Sequence, residues 1–161
     1  MSAEDNNNGL NFGLLPLALS VAGFIVSLTL EFLLPLAFLP AFLSPGWQIV
    51  VGPSLVALGI ALMVWAMMTL RRAGTTFNPS EPTTKMVASG PFGFSRNPMY
   101  LTLLIFQAGI ATSFSLEWGL VLLPVVCLAL DRLVIVSEER YLASRFGKDF
   151  EDYRAKVRRW I

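Results

Sequence analysis

The sequence predicts an all-α, polytopic membrane protein with about four transmembrane helices and a cytoplasmic C-terminal helical segment. The 161-residue chain is 55% hydrophobic and only 14% charged, which is unusual for a soluble domain of this size. Its apolar residues form runs of the length that crosses a bilayer as a helix, about 20 residues. All 12 Lys and Arg residues lie at or after Arg71, as expected where basic loops set the orientation. We interpret residues 1–161 as one membrane domain.

The first two spans are predicted at residues 12–33 and 49–70. The first run contains Glu31 as its only charge, and the second contains none. Pro35 and Pro40 follow the first run and predict a bend at the outer face. An acidic residue within a span is a functional candidate, but the two prolines favour a place for Glu31 at the outer interface.

The third and fourth spans are predicted at residues 98–114 and 116–136. The third is short, and the fourth is interrupted by Asp131 and Arg132 near its end. Both can still cross if their ends reach the interface or if the bilayer thins locally. Pro124 predicts a kink in the fourth span.

The distribution of basic residues predicts the orientation of these spans. Four basic residues lie between the second and third spans, and the remainder follow Leu130. The predicted outer loops contain none. By the positive-inside rule, the loop 71–97 and the tail 137–161 are both cytoplasmic. With four spans, the N-terminus is then also cytoplasmic.

The tail is predicted to continue the fourth helix and then to turn at Gly147, a typical helix C-cap residue. A second short helix is predicted over residues 148–157. In it, Phe150, Tyr153 and Val157 recur at spacings of three and four residues, between basic positions. This apolar stripe predicts a helix that lies on the membrane surface.

Composition argues against several other classes of function. The chain has no His and a single Cys127 within an apolar span, so we predict no disulfide and no metal site. The net charge is only +1, and topology already explains the basic residues. We therefore expect no nucleic-acid partner.

The densest group of unusual residues lies just before the third span, in the sequence Gly90-Pro91-Phe92-Gly93-Phe94-Ser95-Arg96-Asn97-Pro98-Met99-Tyr100. Its Gly and Pro residues predict an irregular loop. Asn97 followed by Pro98 predicts a capped helix start. Irregular backbone at membrane depth is tolerated where it lines a site, so we expect a site at the mouth of this helix.

This loop, the Glu138-Glu139 pair and the later Phe146-Gly147, Tyr153 and Arg158-Arg159-Trp160 together resemble the isoprenylcysteine carboxyl methyltransferase and phospholipid methyltransferase superfamily. The resemblance covers roughly residues 71–161. In that superfamily, an Arg-His-Pro-x-Tyr element, a hydrophobic span and a Glu-Glu pair build an S-adenosylmethionine site at the cytoplasmic face. The acceptor lipid enters from the bilayer.

The resemblance implies roles for particular residues. A glutamate would pair with the ammonium of S-adenosylmethionine, Arg96 with its carboxylate, and aromatic rings with its adenine or ribose. Adjacent helical residues point about 100° apart, so only one glutamate can face the ligand, and the other would orient Arg96, Arg132 or Arg140. The predicted catalytic residues are Arg96, Asn97 and Glu139. The predicted cofactor-binding residues are Gly90, Phe92, Phe94, Arg96, Asn97, Pro98, Tyr100, Glu138 and Glu139.

Asn97 stands where the superfamily usually has His. Asn cannot exchange a proton near neutral pH, and methyl transfer to an ionised carboxylate or thiolate needs no base. The substitution therefore favours a carboxylate or thiol on a lipid-like acceptor over the amine of a phospholipid. Asn97 acts either as a helix cap alone or as a cap that also contacts the cofactor.

A phospholipid N-methyltransferase is the alternative activity, and a non-catalytic four-span protein or transporter subunit is the alternative class. Transporters place ionisable residues near the middle of the bilayer. Here the charges collect at the predicted cytoplasmic ends, which favours a cofactor enzyme.

Overall fold

The computed structural model describes residues 3–75 and 86–161, with side chains from residue 14 onward. All regular structure in these ranges is helical, and the all-α prediction is confirmed. A 3₁₀ turn spans Gly90–Gly93, and a π-helical segment spans Leu130–Ile135. The α-helices are α1 (Ala3–Leu33), α2 (Leu39–Phe42), α3 (Pro45–Arg72), α4 (Pro98–Ser113), α5 (Glu117–Val121), α6 (Leu123–Ala129), α7 (Val136–Phe146) and α8 (Lys148–Lys156).

Three described helical stretches are long and apolar enough to cross a membrane: Leu14–Leu33, Pro45–Arg72 and Glu117–Phe146. The fourth predicted span corresponds to part of the last stretch, which runs through α5 to α7. Helix α4 is apolar but has only 16 residues. Large apolar side chains such as Ile25, Val50 and Ile60 are exposed, as expected for surfaces in contact with lipid. The prediction of a polytopic membrane protein is confirmed.

Helices α3 and α4 pack closely along their lengths because small residues line their contact. A Cβ atom added to Gly109 would lie 2.7 Å from the backbone nitrogen of Val56 and 2.9 Å from the carbonyl oxygen of Gly52. Any side chain at Gly109 would therefore force the two backbones apart. This close packing joins the C-terminal half of α4 to the N-terminal half of α3.

The fourth span is irregular in two places. The helix is interrupted at Leu122, two residues before Pro124, where the sequence predicted a kink. The π-helical segment that contains Asp131 was not predicted. Such segments are rare and often occur at functional sites.

Helix α7 ends at Phe146, and Gly147 follows with a φ of 53°. The predicted turn at Gly147 is therefore confirmed, and α8 folds back beyond it. The prediction that the stripe of α8 lies on the membrane surface is wrong. Phe150, Tyr153 and Val157 are buried against Met86, Leu142, Ala143 and Phe146. The stripe is apolar because protein, rather than lipid, covers it.

Two carboxylates accept hydrogen bonds from the first turns of helices at the end of the bundle opposite Arg96. Glu117 accepts hydrogen bonds from the backbone N–H groups of Phe38 (2.6 Å) and Leu39 (2.9 Å), at the start of α2. Glu31 accepts one from the N–H of Trp118 (3.0 Å), in the first turn of α5. Glu31 thus lies near the end of α1 and caps α5, and its place at the outer interface stays a prediction. The role of Glu117 was not predicted.

Candidate functional site

The loop before α4 is fixed against the end of α3 by its glycine and aromatic residues. Gly90 has a φ of 59°, and a Cβ atom there would lie 2.8 Å from Oγ1 of Thr69. Glycine is therefore needed both for its backbone conformation and for this close approach. The ring of Phe94 packs against that of Trp65, with 6.1 Å between the centroids. The 3₁₀ turn thus orients the residues that follow it.

The other side of the loop is held by α8. The hydroxyl of Tyr153 donates a hydrogen bond to the carbonyl oxygen of Phe92 at 2.7 Å. Burial raises the pKa of Tyr153 to about 12, so the hydroxyl stays protonated and remains a donor at neutral pH. The buried stripe of α8 therefore supports the loop directly.

Arg96 and Glu139 form the centre of the site. Nη2 of Arg96 lies 3.2 Å from Oε1 of Glu139, and the two side chains are only 10% and 12% exposed. Arg159 contacts both oxygens of the same carboxylate, through Nε at 3.1 Å and Nη2 at 2.6 Å. Nη1 of Arg159 reaches Asp131 at 3.1 and 3.2 Å. Two cations and two anions thus balance one another in a partly desolvated cluster.

The guanidinium of Arg96 is only partly used within this cluster. Its Nε and Nη1 atoms are shielded from solvent and have no hydrogen-bond partner among the described residues. Burial lowers the pKa of Arg96, and the neighbouring Glu139 opposes that shift. Arginine nevertheless remains a cation at neutral pH. Buried donors without an acceptor are unfavourable, so a ligand that offers acceptor oxygens to these two atoms would be favoured.

The two adjacent glutamates point to different partners, as their helical geometry predicted. Glu138 accepts a hydrogen bond from the hydroxyl of Tyr100 on α4 at 2.9 Å. Glu139 instead orients Arg96, which was one of the three arginines predicted for that role. Arg132 is 74% exposed and lies 3.8 Å from Asp131. Glu138 therefore keeps acceptor capacity for a ligand, whereas Glu139 is occupied by two arginines.

Asn97 occupies the N-cap position of α4, but its side chain makes no capping hydrogen bond. The prediction of a side-chain cap is therefore wrong. The Nδ2 atom of Asn97 donates to the carbonyl oxygen of Arg159 at 3.0 Å. Its backbone N–H donates to Oγ of Ser95 at 3.1 Å. The helix start relies on the buried Pro98, and the amide of Asn97 binds a distant segment instead.

We expect Asn97→Asp and Asn97→Ala both to destabilise the protein, because each removes the donor to the carbonyl oxygen of Arg159. A lost buried hydrogen bond costs about 1 to 3 kcal/mol, and the aspartate should cost more because its oxygens repel the carbonyl. Thermal unfolding in detergent would measure both. If Asn97→Asp left the unfolding temperature unchanged, capping would instead be the main role of this residue.

The structure thus brings Arg96, Asn97 and Glu139 together, and it brings Tyr100 to Glu138. Gly90 and Phe94 face α3, and Phe92 contributes its carbonyl oxygen to the contact with Tyr153. Sequence reasoning missed the roles of Asp131, Ser95 and Tyr153 in this network. It also missed the role of Arg159, although the Arg-Arg-Trp element contributed to the resemblance.

Two cavities lie near these residues. One, of about 260 Å³, is apolar and lies between α3 and α4, where Met63, Thr102 and Phe106 contribute to its lining. The other, of about 790 Å³, lies between α8 and the segment after residue 85. Neither of these two cavities is lined by Arg96 or Glu138.

A family model described as phospholipid methyltransferase matches residues 47–149, which is more than half of the chain. The chain belongs to the phospholipid methyltransferase family. The matched range includes the loop before α4, Arg96 and both glutamates of this methyltransferase. The tail segment, residues 157–161, lies outside it.

Two proteins similar to this membrane methyltransferase were found, and the first of them supports the same superfamily. Protein-S-isoprenylcysteine O-methyltransferase B of Arabidopsis thaliana is 26% identical over 130 residues, which cover 80% of this chain and 66% of that enzyme. An uncharacterized protein of Haemophilus influenzae is 37% identical over 65 residues, which cover 39% of this chain and 100% of that protein. No solved structure matches the chain. The resemblance stated from the sequence motifs is therefore confirmed.

Proposed function

We propose that this methyltransferase transfers a methyl group from S-adenosylmethionine to a lipid-like or hydrophobic acceptor at the cytoplasmic face, with a carboxylate or thiol as the favoured acceptor group. The observation that carries the proposal is Arg96, a largely buried cation that Glu139 holds through one nitrogen while its other two nitrogens have no acceptor among the described residues. Each of these donors can form a charge-assisted hydrogen bond to an oxygen of the cofactor's carboxylate, and such bonds are stronger than those between neutral groups.

The neighbouring residues suit the remaining groups of the cofactor. Glu138 would accept hydrogen bonds from the ammonium, because its carboxylate has capacity beyond the one bond from Tyr100. When bound, S-adenosylmethionine would supply an electrophilic methyl group on its sulfonium. The protein's task is then to hold donor and acceptor in line.

The choice of acceptor rests on the residues available for proton transfer. The chain contains no His, and the amide of Asn97 is already bonded to a backbone carbonyl. A carboxylate or thiolate needs no deprotonation at the moment of transfer, whereas a protonated amine does. The name of the Arabidopsis relative specifies methylation at oxygen on isoprenylcysteine, which supports the same choice. The family description favours a phospholipid acceptor instead, so both acceptors belong in the test.

The first experiment is calorimetric binding of S-adenosylhomocysteine to the detergent-purified protein. Saturable binding supports the proposal, and its absence favours a non-catalytic membrane protein. Methyl transfer from labelled S-adenosylmethionine would then be compared between an isoprenylcysteine carboxylate and phosphatidylethanolamine vesicles. Transfer only to the vesicles would reject the carboxylate preference.

We expect Glu138→Gln to raise the Kd for S-adenosylhomocysteine by about 10- to 100-fold, as expected for loss of a charge-assisted hydrogen bond to the ammonium. The exposed Glu151, on α8, supplies the control Glu151→Gln, which should change the Kd by less than about twofold. Equal effects of these two substitutions would contradict a role for Glu138 in binding.

The cytoplasmic placement of the site is tested by topology reporters. Reporters fused after Lys85 and after Ile161 should both be cytoplasmic, because the basic residues cluster in those regions. A reporter inserted between Ser44 and Gln48 should be external. Opposite sides for the first two reporters would exclude a site shared by the loop and the tail.

A further inference from the structure

We infer that Arg159 is a positioning residue of the methyl-transfer site: it fixes Glu139 so that Glu139 holds Arg96 in place for the cofactor's carboxylate. This inference rests on the proposed function, because it concerns how the same site recognises its cofactor. Arg159 lies outside the matched family range and was not among the predicted site residues.

The contacts of Arg159 explain how it could act on Arg96. Its Nε and Nη2 atoms bind the two oxygens of Glu139 at 3.1 and 2.6 Å, and its Nη1 atom binds both oxygens of Asp131 at 3.1 and 3.2 Å. All three guanidinium nitrogens of Arg159 are thus engaged with protein carboxylates. Arg96 uses only Nη2 on Glu139. Arg159 is therefore suited to hold the carboxylate, and Arg96 is suited to bind a ligand.

The backbone of the tail segment, residues 157–161, is hydrogen-bonded to the loop before α4, beside this cluster of charges. The carbonyl oxygen of Arg158 accepts a hydrogen bond from the N–H of Arg96 at 3.0 Å. The carbonyl oxygen of Arg159 accepts hydrogen bonds from Nδ2 of Asn97 at 3.0 Å and from Oγ of Ser95 at 3.4 Å. Nε1 of Trp160 donates to Asp131 at 3.3 Å. The side chain of Arg159 thus extends from a backbone segment that is hydrogen-bonded to the loop before α4.

Charge balance explains what Arg159 prevents. Without its cation, Glu139 would keep Arg96 as its partner, and Asp131 would keep only the exposed Arg132. Arg96 would then be drawn further onto Glu139, and its Nε and Nη1 donors would no longer be held in position for a ligand. Lysine could neutralise the charge but could not bridge two carboxylates with a planar fork. The geometry therefore requires arginine rather than any cation.

The test compares two ligands that differ only in the group Arg96 would bind. Calorimetry would give the Kd values of S-adenosylhomocysteine and of its decarboxylated analogue for each protein. The wild type should prefer S-adenosylhomocysteine by at least about tenfold. Arg159→Gln should reduce this preference to less than about threefold, and Arg159→Lys should retain an intermediate preference. Arg158→Gln is the matched control, because it removes an adjacent, exposed cation and should leave the preference unchanged.

If Arg159 only stabilised the fold, Arg159→Gln would weaken the binding of both ligands equally. An unchanged preference in Arg159→Gln would therefore overturn the inference. If Arg159→Gln does not fold, a wild-type preference in Arg159→Lys would overturn it equally well. A wild type that binds both ligands with equal affinity would exclude recognition of the carboxylate by Arg96, and the inference would be rejected with it. A wild type that binds neither ligand would reject the proposed function first, and the role of Arg159 as a consequence.

Discussion

Arg96→Gln is expected to raise the Kd for S-adenosylhomocysteine by at least about 100-fold, equivalent to about 2.8 kcal/mol. Glutamine keeps the aliphatic part of the side chain, but it is shorter than arginine and lacks the cation and the guanidinium donors. Loss of a charge-assisted pair in a site shielded from water is costly. Calorimetry on the detergent-purified protein would measure the change, and methyl transfer should fall with binding.

The matched control is Arg132→Gln, since Arg132 lies on the neighbouring π-helical segment but is 74% exposed. Its pairing with Asp131 is solvent-exposed and should contribute little, so its Kd should stay within about twofold of the wild type. If Arg96→Gln bound as tightly as this control, the cofactor would have to bind elsewhere. The cavity beside α8 would then be the next candidate.

The helices of this protein could be predicted from its sequence because membrane spans are determined by local composition. The end of α1 at Leu33 and the start of α4 at Pro98 were both predicted. An uninterrupted apolar run must satisfy its backbone internally, and a helix does so within one segment. No long-range contact is needed to reach that conclusion.

The contacts within the site could be predicted only in part. Adjacent glutamates on a helix must diverge, so their different partners followed from local geometry. The bond from Asn97 to Arg159 joins residues 62 positions apart, and no local pattern indicates it. The capping rule failed at Asn97, whose side-chain amide donates to this distant carbonyl and makes no capping bond to the first turn of α4.

The stripe of α8 shows a second limit of sequence patterns. Spacings of three and four residues identify one apolar face on a helix, but lipid and protein both provide an apolar surface for it. Phe150 is 1% exposed because α7 and the segment after residue 85 cover it. The pattern predicted the helix correctly and could not predict what covers its apolar face.

Glu117→Ala is expected to lower the free energy of unfolding by about 2 to 6 kcal/mol, because it leaves two backbone donors, one of them fully buried, unpaired at about 1 to 3 kcal/mol each. The carboxylate is 1% exposed and accepts from both Phe38 and Leu39. Water cannot easily replace it. Unfolding of the detergent-solubilised protein, followed by circular dichroism through a denaturant titration, would measure the loss.

Graded substitutions separate the lost hydrogen bonds from the lost volume. Glu117→Gln keeps the size of the side chain and one acceptor oxygen, so it should cost less than alanine. Glu31→Gln should cost less again, because it weakens a single bond to Trp118. Glu151→Ala removes a carboxylate that is 57% exposed and should cost less than about 0.5 kcal/mol. If Glu117→Ala cost no more than Glu151→Ala, the hydrogen bonds of Glu117 to the start of α2 would contribute nothing to stability. The close packing of α3 on α4 would then have to stabilise this end of the bundle instead.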